Sequence, residues 1–509
     1  IRAMKRLANA MPELDGEGRP NFRIETCYRK LFVGEHRVVR YRPRVERSFD
    51  LIELWQPQGK PPFWLVHGAN GSLHVYGKTD ASRRAEPLDP TNADASPRIG
   101  AWLLLESMSP HGEHICFDYK AEEQVYTPDD AHDYRAQRYL HRVYYGNALA
   151  SKDLYAWTVE NPASLNWHFH LVFDYGERTL DLQKKPLYGP PFDAPGEGFG
   201  EWPLRSDPFH SYAYGFELST RRLCHQVLMF HHFPQELGAN PVLVRRLLLQ
   251  YQTTSLDYTH LVAAHYQAYD ASGAVENMPP VEFDNSRFEL NTLSSPFFPF
   301  ENMPGIEDGA YHQCVDLFGE GLPGFICRYD QSWYYREPLR ARTGGDAIHY
   351  GPWTELAHIP VADRNQAAYQ ALTDLTGDGR LDWILASPGA SGFHTLDPDR
   401  SWSGFIPFSA FPVEFFHRLL QPGDWMGDRL SSMMLIGPRS VRLYANRRED
   451  GFGQGLDVPH EPDGDSLPLF SDSRSELVML GNMLGSDMPE LCRIRHDEIK
   501  CWPNLGHGR

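Results

Sequence analysis

The sequence predicts an all-β protein, with a large β-rich domain over residues 1–293 followed, over 294–509, by part of a β-propeller. Three observations predict it. Short runs of aromatic and branched residues are punctuated by Gly, Asn and Pro, the pattern of antiparallel hairpins. Two segments dense in Pro and Gly interrupt those runs, and toward the end of the chain one strand–turn–strand motif recurs four times.

Taken in order, "FWLVHGANGSLHVYGK" (63–78) reads as two strands around an Asn-Gly turn, and "LLLESMSPHGEHICFDYKAEE" repeats the device around Ser109 to Gly112. In its second strand His114, Cys116 and Asp118 alternate with Ile115, Phe117 and Tyr119, which predicts one apolar face and one mixed face. "WHFHLVFDYGE" (167–177) alternates likewise, and "LVRRLLLQYQTTS" (243–255) does so more loosely. "QKKPLYGPPFDAPGEGFGEWP" carries Pro186, Pro190, Pro191 and Pro195 and is expected to be a surface loop or lid, since no regular element tolerates that density. "SSPFFPFENMPGIEDG" (294–309) marks the expected domain boundary.

A chain of 509 residues, 41% hydrophobic and 13% aromatic, has the material for a large core and more than one domain. With 67 acidic against 49 basic residues its formal charge is -18, which argues against nucleic acid or an anionic membrane as partner. The alternating Arg40, Arg42 and Arg44 read as a solvated or ion-paired strand face. Seven scattered cysteines with no CxxC pair predict reduced thiols rather than a disulfide framework or a metal site. No run approaches the roughly 18 apolar residues of a membrane span, and the start lacks the apolar core of a signal peptide. Because the chain begins at Ile1, it is expected to be a piece of a longer product.

The four copies of the repeat begin at Asp316, Asp374, Asp424 and Asn482, spaced 58, 50 and 58 residues apart. Each has an acid or amide, two residues, a glycine, a tight polar turn and an apolar strand; a further strand with aromatics follows ("QSWYYREP", "SGFHTLD", "SVRLYANR", "EIKCWPN"). Units of this length suit propeller blades. The end, Asn504 to Arg509, is expected to be the middle of a blade, with further blades following in the intact protein.

"DLTGDGRLD" is the copy closest to a calcium loop. Such a loop places ligands at Asp374, Thr376, Asp378 and Asp382 with a backbone carbonyl at Arg380, and Gly379 makes the turn. The ninth position is Gly324, Ser432 and Glu490 in the other copies, and the fifth position of the last is Ser486, so only one copy keeps its carboxylates. The first expectation is therefore scaffold, with Asp374 capping turn amides and Gly377 and Gly379 supplying backbone freedom; a Ca2+ site comes second.

No nucleophile elbow, phosphate loop or zinc-protease helix occurs, and "GEGFGEW" neither follows a strand nor opens a helix. His225, His231 and His232 in "CHQVLMFHHF", and "HGEH" (111–114), read as ordinary half-buried histidines. No catalytic residue and no organic cofactor is assigned, and the chain is expected not to be an enzyme.

"YRPRVERSFDLIELW", "YLHRVYYGN", "DPFHSYAYGFELSTRRLCHQVLMFHHF" and "MPPVEFDNS" resemble the SpvB-type amino-terminal domain of bacterial virulence proteins. "YHQCVDLFGEGLPGFI", "DLTGDGRLDWILASPG", "FIPFSAFPVEFFH" and "LIGPRSVRLYANRREDGFG" resemble the middle region of the B component of tripartite Tc insecticidal toxins. The resemblance implies an RHS-like β-shell, closed at one end by a β-propeller with FG-GAP-like blades. It implies as partners a C component, whose toxic segment the shell encloses, and a pore-forming A component on which the propeller docks. It implies a secreted toxin, made in the cytoplasm. SpvB proteins also carry an ADP-ribosyltransferase at their far end, which the residues here do not resemble. The alternative reading is a surface adhesion module whose propeller loops meet a receptor or glycan.

Overall fold

The computed structural model describes residues 10–508 except 29–31, 44–47, 89–96, 123–132, 155–165, 187, 189–201, 213, 255–256, 271, 273, 286–311, 320, 331, 341–347, 358, 360–368, 388–389, 410–413, 415–416, 418, 461–466, 471–474, 484 and 486–487. The expected boundary at 294–309 and most of the Pro-rich loop lie outside the described residues. The chain divides into two compact units close to residue 287, with 211–215 grouped with the second. Among the described residues no helix is long and apolar enough to cross a membrane.

The first unit is built on one antiparallel sheet of 15 strands. Its order follows the chain almost throughout, with several neighbouring strands joined by tight turns. Phe63–His67 pairs with Leu73–Tyr76 across a turn in which Gly71 takes φ +81 and the Asn70 side chain accepts from the Ser72 N–H. Leu104–Met108 pairs with His114–Lys120. There Gly112 takes φ +86, and a Cβ on it would lie 2.7 Å from the Ser151 carbonyl oxygen, so only glycine fits. The sheet ends in the long hairpin of Val242–Thr253 with Thr259–Tyr269, to which the short strands Val275–Asn277 and Val281–Glu282 add.

The core of this sheet is a row of separate clusters. Phe32, Trp55, Phe63, Leu65 and Val75 form one, Ile52, Trp64 and Tyr76 a second, and Val172, Leu228, Phe230 and Leu243 another. One strand departs from simple alternation. His114 and Cys116, on the mixed face, are buried, whereas Ile115 is 42% exposed. The reason is that His114 finds polar partners beneath the sheet, which makes its burial tolerable.

The second unit is a propeller-like set of four blades. The first comprises His312–Val315, Gly324–Tyr329, Ser332–Arg340 and Ile348–Leu356. The second comprises Tyr369–Thr373, Asp382–Ser387, Ala390–His394 and Ile406–Pro407. The third comprises Gln421–Gly423, Ser432–Ile436, Ser440–Tyr444 and Leu456–Pro459. The fourth has three strands, Leu477–Gly481, Glu490–Ile494 and Ile499–Trp502. The four repeats are thus the link between strands one and two of every blade, and the aromatic segments are the third strands.

Successive blades pack face to face. Trp383 of the second joins Ile326 and Tyr335 of the first, and Ile384 and Phe393 of the second join Met433 and Tyr444 of the third. Met434 and Leu443 of the third join Val478 and Leu491 of the fourth. A second strand enclosed by neighbours on both faces reads as a near-continuous apolar run, which is why "WILA" follows the buried Asp382 and is itself buried at every position. Beyond the third strand of the fourth blade, Asn504 to Gly508 run through a bend and a turn. Asn504 Nδ2 donates to the Asp424 carbonyl, and Gly508 N to that of Trp425.

Candidate functional site

The strand-linking loops of the first three blades share an aspartate cap. In the second blade Asp374 Oδ1 accepts from the N–H of Gly377 (2.7 Å) and Asp378 (3.1 Å), and its Oδ2 accepts from Gly379 (2.9 Å). Asp424 accepts from Gly427, Asp428 and Arg429 in the same pattern, and Asp316 accepts from Gly321. The glycine at the fourth position, Gly319, Gly377, Gly427 or Gly485, has positive φ in every copy. Gly377 is also tightly placed, since a Cβ there would lie 2.5 Å from Leu430 Cδ2.

The remaining members of the calcium pattern are placed as follows. Asp378 Oδ1 accepts from Arg380 N (2.9 Å), and the Arg380 Nη1 lies 3.5 Å from the Leu396 carbonyl. Asp382 is buried, and its Oδ2 accepts from Leu375 N (2.9 Å) and Thr376 N (3.0 Å). Glu490 repeats that contact in the fourth blade, accepting from Met483 N at 2.8 Å. Burial pushes the Asp382 carboxyl up; its two amide donors pull it back, the Asp378 and Asp374 charges push it further, and it stands at about 6. Among the described residues no three His, Cys, Asp or Glu side chains gather in a set that could hold a metal. Each of the three carboxylates that the pattern offers to Ca2+ accepts from backbone amides.

The loop is also tied to the neighbouring blade. Thr376 O accepts from Arg448 Nη1 (2.7 Å), and Leu375 O from Asn446 Nδ2 (2.8 Å), which also bonds Ser431 O (3.0 Å). Thr373 Oγ1 donates to Ser431 Oγ. The arrangement is an inter-blade fastener, and its partners lie 58 to 72 residues away along the chain, beyond the reach of any local motif.

The first unit carries buried charges that sequence reasoning missed. Arg246, fully buried, donates to Gln226 Oε1 (2.6 Å), Gln267 Oε1 (3.1 Å) and the carbonyls of Thr179 (2.7 Å) and Asp181 (3.1 Å), holding the 179–184 segment on the sheet. Asp174 bonds Arg178 Nη1 (2.8 Å) and Gln226 Nε2 (3.1 Å). The one signal was an arginine pair inside an apolar strand. Glu53, buried, meets Arg23 (2.8 Å), Arg40 (3.6 Å) and His67 (3.4 Å). Burial alone would raise its carboxyl, but hydrogen bonds and charge from His67 and Arg23 outweigh it and hold it at about 2.

His114 places Nδ1 2.6 Å from Glu106 Oε1 and Nε2 2.6 Å from the Ser151 carbonyl. His225, His231 and His232 are half-buried, with His225 against Tyr251 and His231 against Phe169. Arg40 and Arg42 are ion-paired, to Glu53 and Glu13, while Arg44 lies outside the described residues. A cavity of about 870 Å³ is bordered by Lys60, Asp80, Arg83, Glu86, Arg135 and Arg138, but Arg83 is bonded to Asp80 and Arg135 to Asp133.

Residues 5–233 match the family model described as the Salmonella virulence plasmid 65kDa B protein, SpvB. The mono(ADP-ribosyl)transferase SpvB of Salmonella typhimurium is 44% identical over 247 residues, covering 48% of this chain and 39% of that protein. The chain therefore spans well under half the length of the curated relatives it matches. The Tc holotoxin pore structure of Photorhabdus luminescens matches 96% of this chain and 22% of its own at 37% identity, with a TM-score of 0.75. A crystal structure of TcdB2-TccC3-Cdc42 matches 98% and 23% at 35% identity, with a TM-score of 0.62.

These matches correct the expectation that the protein is not an enzyme. Relatives sharing its amino-terminal half are named mono(ADP-ribosyl)transferases, and the shared region is 39% of such a protein. What the matches do establish is that residues 5–233 carry an SpvB-type domain and that the chain has the all-β shell-and-propeller fold of Tc toxin complex structures.

Proposed function

We propose that the chain is part of a B component of a Tc-type toxin complex. In this reading the sheet of the first unit contributes to a β-shell that, with a C component, encloses that partner's toxic segment. The blades of the second unit contribute to a propeller that docks on a pore-forming A component, and the assembled complex is exported. Residues 1–293 are assigned to the shell and 294–509 to the propeller. The observation that carries the proposal is the likeness to the Tc holotoxin pore structure, which extends over 96% of the chain and so takes in both units.

The sheet suits a wall. Its strands follow chain order, its core is a series of small clusters along the sheet, and strands can be added at its edges. The test uses the full-length parent chain, co-expressed with a candidate C component and mixed with a candidate A channel. Co-elution on size-exclusion chromatography, with the C component's carboxy-terminal segment protected from low-dose protease, is the expected result. Rapid digestion of that segment in a complex that does form would overturn the shell reading, and failure to bind the A channel would overturn the docking reading.

A further inference from the structure

The last hairpin of the fourth blade brings two cysteines face to face. Cys492, in Glu490–Ile494, is directly opposite Cys501, in Ile499–Trp502, and their sulfurs are 3.3 Å apart. The turn residues are His496 and Asp497, closed by the Arg495 N–H donating to the Glu498 carbonyl at 2.8 Å. Hydrogen-bonded and non-hydrogen-bonded pairs alternate from that closure. Arg493 and Lys500 therefore form a bonded pair, and Cys492 and Cys501 a non-bonded one. In non-bonded pairs the two backbones approach most closely and the side chains lean together, which is the spacing a disulfide needs. The pairing is unbroken by any bulge. Of the seven cysteines, all in described residues, no other two are opposite each other in a strand pair: Cys314 faces Phe325, and Cys327 faces His312 and Tyr334.

We propose that Cys492 and Cys501 are an oxidation site, converted by a low-molecular-weight disulfide such as oxidised glutathione into an intramolecular disulfide that pins this hairpin. The partly exposed Cys501 is the entry point, since Cys492 is fully buried. The Cys501 thiolate attacks one sulfur of the glutathione disulfide, a mixed disulfide forms, and the first glutathione leaves and takes up a proton. The Cys492 sulfur then attacks Cys501 Sγ, the protein disulfide forms, and the second glutathione leaves with the second proton. Two thiols are oxidised and one glutathione disulfide is reduced. Burial holds the Cys492 thiol well up, to about 12, so the second step depends on proximity rather than on thiolate abundance. The site does not depend on the toxin-complex reading, because it rests on the hairpin alone.

The exposed Cys27 and Cys314 are internal controls. They have no thiol opposite and are expected to stop at the glutathione adduct. The chain is incubated with oxidised glutathione, the remaining thiols are blocked, and tryptic peptides are mapped by mass. Trypsin cuts after Arg493, Arg495 and Lys500, so the disulfide is read as two peptides joined through Cys492 and Cys501 that separate on reduction. In Cys492→Ser the expected product is a glutathione adduct at Cys501. In Cys501→Ser the expected result is an unmodified Cys492. A wild-type chain in which Cys27 and Cys314 have reacted fully while Cys501 carries glutathione, or while both hairpin thiols are free, would overturn the proposal.

Discussion

The Asp382 carboxylate offers a test in which scaffold and calcium readings give opposite signs. Its acid constant rises from the ordinary 3.8 to about 6 because it is buried, with Asp374 and Asp378 adding to the effect. Each pK unit is worth about 1.4 kcal/mol, so the ionised group costs the folded state about 3 kcal/mol at neutral pH. A carboxyl raised on folding contributes stability that is complete below 3.8 and is lost as pH rises through about 6. Asp382→Asn keeps an oxygen acceptor for the Leu375 and Thr376 amides and removes the charge. At pH 7.5 it is expected to melt higher, by at most about 6–12 °C for a unit of this size. Near pH 4 it is expected to melt with the wild type.

Asp382→Ala separates charge from hydrogen bonding. At pH 4, where the wild-type carboxyl is already neutral, it leaves two amides without an acceptor and should cost about 2–6 kcal/mol. The assay is thermal melting across pH 4–8, with and without a chelator. A bound Ca2+ would reverse every sign, because it holds the carboxylate ionised. Asp382→Asn would then melt lower at pH 7.5, and chelator would lower the wild type but spare the variant. That pair of results would refute the scaffold argument.

Asp374→Ala removes three amide bonds from an exposed turn and should cost about 1–3 kcal/mol, with no change in the wild-type melt on adding chelator. Gly377→Ala, with φ +74 and Leu430 2.5 Å away, should cost more by chemical denaturation than Gly379→Ala, which at φ +89 in open surroundings carries only the backbone strain of about 1–2 kcal/mol. Glu53→Gln should destabilise the first unit by a few kcal/mol at pH 7. A carboxyl lowered to about 2 contributes stability present above 4.5 and lost as pH falls toward 2, so wild type and variant should converge in acid melts. Arg246→Ala strips five acceptors of their shared donor and should cost about 3–5 kcal/mol, with early protease cleavage at 179–184 as its local sign.

How far these features were legible follows from what a sequence pattern records. Turn chemistry is local, so the Asn70–Gly71 hairpin and the phase of all four blade loops could be read residue by residue. Apolar alternation is local too, but it records only which side chains prefer to leave water. It does not record where a buried polar group finds its partner. The His114 strand shows the difference: the buried face was the mixed one, because Glu106 and the Ser151 carbonyl were waiting for the imidazole. Arg246 shows it again, with acceptors on strands 20 and 21 residues away and on a segment more than 60 residues away.

The calcium-like loop joins the two kinds of information. Its carboxylates and glycines are what a metal loop needs, and they are equally what an amide-rich turn needs, since both problems are solved by oxygen acceptors facing inward and residues tolerant of positive φ. Copy-to-copy variation separates them. A metal ligand set fails when one carboxylate becomes Ser432 or Gly324, whereas a capped turn needs only its first acid, and Asp316, Asp374 and Asp424 all keep that acid on the amide at the sixth position. Position nine then serves its own blade: Asp382 and Glu490 accept from amides of their own loops, and Ser432 Oγ accepts from Asn446 N, just past the adjacent strand. The cap of the first three loops is thus a turn device, and in the second blade the loop is also fastened to its neighbour, through Arg448, Asn446 and Ser431.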